Sequence, residues 1–169
     1  MNDFYDLIDA ARGGVGDEKT PSADPDRLRE VLEAIDDEAV LAFGVAFQNE
    51  LIRLNEWRVW DAGYVASGAL SNDGFHYFRS WLIGKGRAAV EQALADPDGL
   101  VPYLDDPDID NELLEYVPID VLEERGVDAD PRDAIDESPD EEARGDQIED
   151  EKTLDSYFPR LASWRASLG

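Results

Sequence analysis

Val59-Trp60-Asp61-Ala62-Gly63-Tyr64-Val65 and, a short break later, Ser71-Asn72-Asp73-Gly74-Phe75-His76-Tyr77-Phe78-Arg79-Ser80-Trp81-Leu82-Ile83-Gly84-Lys85-Gly86-Arg87 decide the fold. The first run reads as part of a helix over residues 57–69, despite Gly63 and Gly68. Ser71-Asn72-Asp73-Gly74 makes a turn and supplies the N-cap of the next helix. Residues 75–83 are then apolar nearly all round, which places a helix over 73–84 near the centre of a helical bundle. Gly84 and Gly86 bend or end it, and residues 88–95 continue as helix up to Asp96-Pro97, because the residue before proline avoids helical geometry.

The pattern extends upstream. Phe4, Leu7, Ile8 and Ala11 recur at helical spacing over residues 3–12, and Gly13-Gly14 stops them. Asp24-Pro25 is an acidic cap followed by a proline at the first helical position, ahead of Leu28, Val31, Leu32 and Ile35. Asp36 or Asp37 caps the next helix, apolar on more than one side through Leu54. No stretch shows the period-two alternation of a strand.

Downstream the composition changes. Residues 96–155 carry 24 acids and 4 bases, so −20 of the net −26 lies there. One helix is expected over 111–125, divided at Pro118. Residues 126–152 are rich in Asp, Glu and Pro and poor in large apolar side chains, so they predict an acidic, partly disordered loop over the outside. Leu154, Tyr157, Phe158, Leu161, Trp164 and Leu168 return to helical spacing, and residues 153–169 are expected to dock as a C-terminal helix. The expectation is therefore all-α: a single compact helical domain over residues 1–169, with about six helices.

Composition narrows the function classes. A chain of 169 residues with 43% hydrophobic content can bury a core. The 41 acids against 15 bases repel nucleic acid and anionic membranes and attract a basic protein. The same profile, with arginine far commoner than lysine and aspartate commoner than glutamate, also fits adaptation to high salt. With no cysteine there are no disulfides, no thiolate metal sites and no cysteine nucleophile. No signal peptide is visible and no apolar run approaches a membrane span of about 18 residues, so a cytoplasmic location is expected.

Several runs carry a resemblance. Trp60-Asp61-Ala62-Gly63-Tyr64, Ser71-Asn72-Asp73-Gly74-Phe75, Phe78-Arg79-Ser80-Trp81-Leu82-Ile83, Gly86-Arg87 and Ala93-Leu94-Ala95-Asp96-Pro97-Asp98-Gly99-Leu100 occur in that order. Together with Phe4-Tyr5-Asp6-Leu7-Ile8 and Phe158-Pro159-Arg160-Leu161 at the flanks, they resemble the bacterial domain-of-unknown-function family 4240. That resemblance implies an all-α cytoplasmic domain and no established activity.

Candidate chemistry is sparse. Arg79 sits in a helix that otherwise reads as core, and a buried guanidinium needs a carboxylate, with Asp61 and Asp73 the nearby candidates for a structural ion pair. Arg79, Lys85 and Arg87 form the one dense basic patch, which would suit an anion at a helix start. His76, the sole histidine, has no nucleophile motif around it, so no catalytic residue is assigned. Asp106, Asp108 and Asp110 alternate as in a calcium loop, but Asn111 stands where glycine belongs and Val117 where glutamate belongs, so no metal is assigned. No phosphate-binding, dinucleotide or zinc-protease motif is present, and no cofactor is expected. Two classes remain: a non-catalytic, immunity-like protein whose acidic face binds a basic partner, and a small-anion sensor or enzyme using Arg79, Arg87 and Asp61 around an aromatic-lined cleft.

Overall fold

The computed structural model describes residues 3–14, 16–105, 107–136 and 142–169. Among them there are nine α-helices, several short 3-10 turns and no strand. The helices are α1 (Phe4–Ala11), α2 (Pro25–Glu33), α3 (Asp37–Arg53), α4 (Trp57–Ser67), α5 (Asn72–Lys85), α6 (Arg87–Ala95), α7 (Tyr116–Glu124), α8 (Leu154–Tyr157) and α9 (Pro159–Ser167). The all-α expectation holds, but the count of about six is too low. The acidic C-terminal third adds short helices and 3-10 turns that hydrophobic periodicity over long windows does not register.

α2, α3 and α5 begin where capping chemistry places them. The Asp24 carboxylate accepts from the Asp26 amide ahead of Pro25, Asp36 accepts from the Ala39 amide, and Ser71 Oγ accepts from the Gly74 amide. α5 and α6 meet at Gly86, whose φ of 106° is open to glycine and strained for other residues.

α5 is the central element. Every residue from Phe78 to Lys85 is buried, whichever face it occupies, because α1, α3, α4 and α6 surround this helix together with the 3-10 turn Glu112–Glu115. Trp57, Trp60 and Phe75 stack in sequence, each pair of centroids 4.7 Å apart. The aromatic side chains of the opening stretch are thus spent largely on each other.

The C-terminal end of α5 is held by a polar clamp. The Ala23 amide donates to Gly84 O at 2.9 Å, and Ser22 Oγ donates to Trp81 O at 3.0 Å. Asn111 Nδ2 donates to both Ser22 Oγ and Ala23 O, while Asn111 O accepts from Ser80 Oγ. This approach requires a glycine at 84: an added Cβ would sit 2.1 Å from Ser22 Oγ and 2.8 Å from Leu114 Cδ1. Gly84→Ala is therefore expected to destabilise. Overpacking of about 1–3 kcal/mol, plus loss of the clamp, outweighs the roughly 1 kcal/mol that alanine adds to a helix. A urea midpoint at or above that of the parent would contradict this.

Two boundaries differ from expectation. Pro118 does not divide residues 111–125; it lies in the first turn of α7, where its missing N–H leaves no helical bond unmade. The break falls instead between the 3-10 turn Glu112–Glu115 and Tyr116. The C-terminal helix is likewise split, with Pro159 opening α9. Leu154, Phe158 and Leu161 are buried, whereas Tyr157 and Leu168 stay exposed.

In the stretch 126–152, residues 137–141 lie outside the described residues. The rest touches the body at defined points. Pro131 is buried against Gly44. The Arg144 amide donates to Asn55 O, the Trp57 amide donates to Arg144 O, both at 2.9 Å, and the Ile148 backbone hydrogen-bonds to Asp61. Each bond offsets part of the entropy that composition assigns to a free loop.

α9 is anchored by a carboxylate distant in sequence. Asp98, itself buried, accepts from the backbone amides of Arg160 and Leu161 at 3.2 and 2.9 Å, and Arg160 also reaches Asp96 at 2.8 Å. Phe158 at the cap position has no side-chain acceptor, so Asp98 caps the helix from across the fold.

Candidate functional site

Four polar side chains of α5, His76, Arg79, Ser80 and Lys85, turn toward partners from other parts of the chain. Arg79 is buried; Nη1 donates to Leu51 O at 3.0 Å and the guanidinium lies over the Phe75 ring at 4.5 Å. Its Nη2 is 3.5 Å from His76 Nδ1, and His76 Nε2 is 2.6 Å from Glu115 Oε2. Glu115 is buried and also accepts from Gln48 Nε2 at 3.0 Å. Burial pushes the Glu115 carboxyl up, but the hydrogen bonds from His76 and Gln48, with the charge of Arg132 behind them, hold it below the usual carboxylate range. The result is a connected polar line, Gln48–Glu115–His76–Arg79, across the interior.

The basic side chains expected to form one patch go to three neighbourhoods. Arg79 serves the line just described. Lys85 is buried, donates to Glu18 O and Thr20 O at 2.8 and 2.7 Å, and lies over the Trp81 ring. Burial pushes its amine down to about 8. Arg87 is exposed; it pairs with Asp3 and covers the Tyr5 ring, tying α6 to the start of α1. Of the two carboxylates considered for an ion pair, Asp61 is buried, its pKa raised by that burial, and hydrogen-bonds to the Ile148 backbone. Asp73 is exposed in the first turn of α5.

Among the hollows of the described surface, three are edged by acids. A groove of about 670 Å³ runs between α1, the end of α2 and the first half of α3, with Phe4, Leu7, Ile35 and Phe43 among its walls and Asp3 and Asp36 at its edge. A cleft of about 380 Å³ lies between residues 21–25, the end of α5 and residues 105–111; Lys85 and Asn111 line it beside Asp24, Asp105, Asp108 and Asp110. Burial, then the charge of Asp108, raises the Asp110 carboxyl. A third hollow of about 410 Å³ past α7 is lined by Glu123, Asp128, Asp130 and Asp133. Arg79 and Arg87 line none of the three. Among the described residues, no group of three or more His, Asp or Glu is placed to hold a metal ion, and Asp106 of the calcium-like run lies outside them. Among those residues, too, no helix is long and apolar enough to cross a membrane.

Comparison with known proteins adds one match. The family model described as a protein of unknown function, DUF4240, matches residues 1–124. The chain belongs to the DUF4240 family. No curated protein and no solved structure matches it.

The DUF4240 match contains α1 through α7, the polar line and the apolar groove. Phe158-Pro159-Arg160-Leu161, read above as a flank of the family, lies outside it. That segment nonetheless returns to the DUF4240 portion, because Asp98 within the match caps it.

Sequence reasoning missed Glu115, Gln48, Ser22 and Asn111. A signal existed for Glu115: it shares a helical stripe with Pro118 and Leu122 at i, i+3 and i+7, so an acid stands on an apolar face. Ser22 and Asn111 carry no such signal. Their partners are backbone carbonyls and each other, groups that come near only in the fold.

Proposed function

We propose that this DUF4240 chain is a non-catalytic binding module whose acidic surface receives a basic partner protein, in the manner of a small immunity protein. One observation carries the reading: three hollows of the described surface are edged by carboxylates. The net charge of −26 would draw a basic partner in and speed encounter. The inward commitment of His76, Arg79 and Lys85 supports the same reading. Each spends hydrogen-bonding capacity on backbone carbonyls or on another buried side chain. The aromatic-lined anion cleft loses support for the same reason, since Trp57, Trp60 and Phe75 stack on one another.

The test is affinity capture from the native cells with the full chain as bait. Retained proteins should be strongly basic and should elute between about 0.1 and 0.5 M salt, where the Debye length shrinks from roughly 10 Å to a few ångströms. Recovery of only acidic proteins, or of none, overturns the reading.

Salt also separates a binding surface from high-salt adaptation. Screening of self-repulsion is nearly complete by about 0.5 M potassium chloride, so the melting temperature should rise a few degrees and level off. A rise continuing through molar salt would assign the acidity to the environment instead.

A further inference from the structure

α3 is long enough to serve two surfaces. Val40, Phe43, Phe47 and Leu51 point into the core. Ala39, Ala42 and Ala46, spaced i, i+3 and i+7, lie along one stripe of its outer side, with Ala42 exposed and the other two half-buried. The stripe spans about 10 Å, or two helical turns. Phe4 and Ile35, both half-buried, stand beside it, and the Phe4 and Phe43 rings meet at 4.8 Å. These side chains bound the groove of about 670 Å³.

Three properties define what fits there. The wall of α3 is built from methyl groups, so a second helix can approach toward the short end of the usual 8–10 Å interaxial range. Among the described residues the lining holds two acids, Asp36 and Asp3, the latter also paired with Arg87, and no base. Among those residues it contains no side-chain hydrogen-bond donor, so the only polar groups offered to an occupant are carboxylate acceptors. A second copy of this chain would bring another −26 against the same two carboxylates.

We infer that the groove between α1 and α3 seats an amphipathic helix of a basic partner, its apolar face on Ala39, Ala42 and Ala46 and its lysines or arginines over Asp36 and beside the Asp3–Arg87 pair. This rests on the binding-module reading and adds the place and the shape of the contact. Helix-in-groove docking of this kind takes its affinity from apolar anchors at i, i+3, i+4 and i+7, and its discrimination from the flanking charges.

The probe is a peptide of about 16 residues with leucines on one helical face and lysines and arginines elsewhere. A control peptide keeps the leucine face and carries glutamates. The full chain, labelled for NMR, is titrated with each. The basic peptide should shift Phe4, Leu7, Ile35, Ala39, Ala42 and Ala46, and the acidic control should not bind. Ala42→Arg, at an exposed position that leaves the core untouched, should weaken the basic peptide by tenfold or more, and Ala39→Arg should do the same. An unchanged urea midpoint would show that each variant is folded. Shifts confined to residues 105–133, with Ala42→Arg binding normally, overturn the groove and leave the acidic-surface reading standing. Failure of the basic peptide to bind overturns the groove as well, while the capture experiment judges the reading itself. Equal binding of both peptides overturns the basic character of the partner.

Discussion

Glu115→Ala is expected to destabilise the fold by about 3–5 kcal/mol, the range for removing one member of a buried, hydrogen-bonded charged group. Glu115 is only 5% exposed, and its two oxygens take Gln48 Nε2 and His76 Nε2. Truncation strands Gln48 in the interior and His76 at a half-buried site, each at about 1–3 kcal/mol, and opens a cavity between α3, α5 and α7. Urea denaturation measures the loss, and a cost under about 1 kcal/mol would contradict the account of the polar line. Glu115→Gln keeps the shape and removes the charge, so it isolates the pH dependence. The folded carboxyl titrates below its ordinary value of 4.5. Its contribution is therefore fully present above 4.5 and is lost as the pH falls through the lower folded value. The stability gap between parent and Glu115→Gln should close on acidification through that window. A gap that stays constant, or widens, would show that the carboxylate is not held by its partners.

Asp98→Ala is expected to release α9 at a cost of about 2–4 kcal/mol, the sum of a lost cap and of charge-assisted bonds to two backbone amides. Those amides belong to Arg160 and Leu161 in the first turn of α9. Phe158 and Leu161, now buried, would become accessible. Limited proteolysis should cut residues 154–169 in Asp98→Ala well before the rest of the chain and at a rate far above the parent. Asp98→Asn keeps an acceptor and should fall between the two. Equal protection of the C-terminal residues in all three proteins would mean that apolar contacts alone hold α9.

The extent of the fold legible in the sequence follows the range of the interactions concerned. α1 to α6 begin close to the expected positions because their signals are local: Asp24 before Pro25, Asp36, Ser71, and apolar residues repeating every three or four positions. The central place of α5 was legible too, since a helix apolar on every side cannot face water. Beyond residue 96 the local signals thin out. The 3-10 turns there are too short for a period to show, and Pro118 reads as a breaker although it opens a helix comfortably at its first turn. The candidate site was less legible. Arg79 announced itself as a charge in an apolar helix, but its neighbours come from distant places: Leu51 on α3, and Glu115 through His76. Proximity in sequence favoured Asp61 and Asp73, and only the fold brings residue 115 beside residue 76. The groove is invisible to periodicity because Ala39, Ala42 and Ala46 read equally well as core.

On the proposed division of labour, the interior polar line holds the fold while the acid-edged groove does the binding. Titrating the basic amphipathic peptide against the parent, Glu115→Gln and Ala42→Arg, each under conditions where it is folded, separates the two roles. The account predicts equal affinity for the parent and Glu115→Gln, and affinity at least about tenfold weaker for Ala42→Arg, a difference of roughly 1.4 kcal/mol or more. Weakened binding by Glu115→Gln with full binding by Ala42→Arg would contradict it.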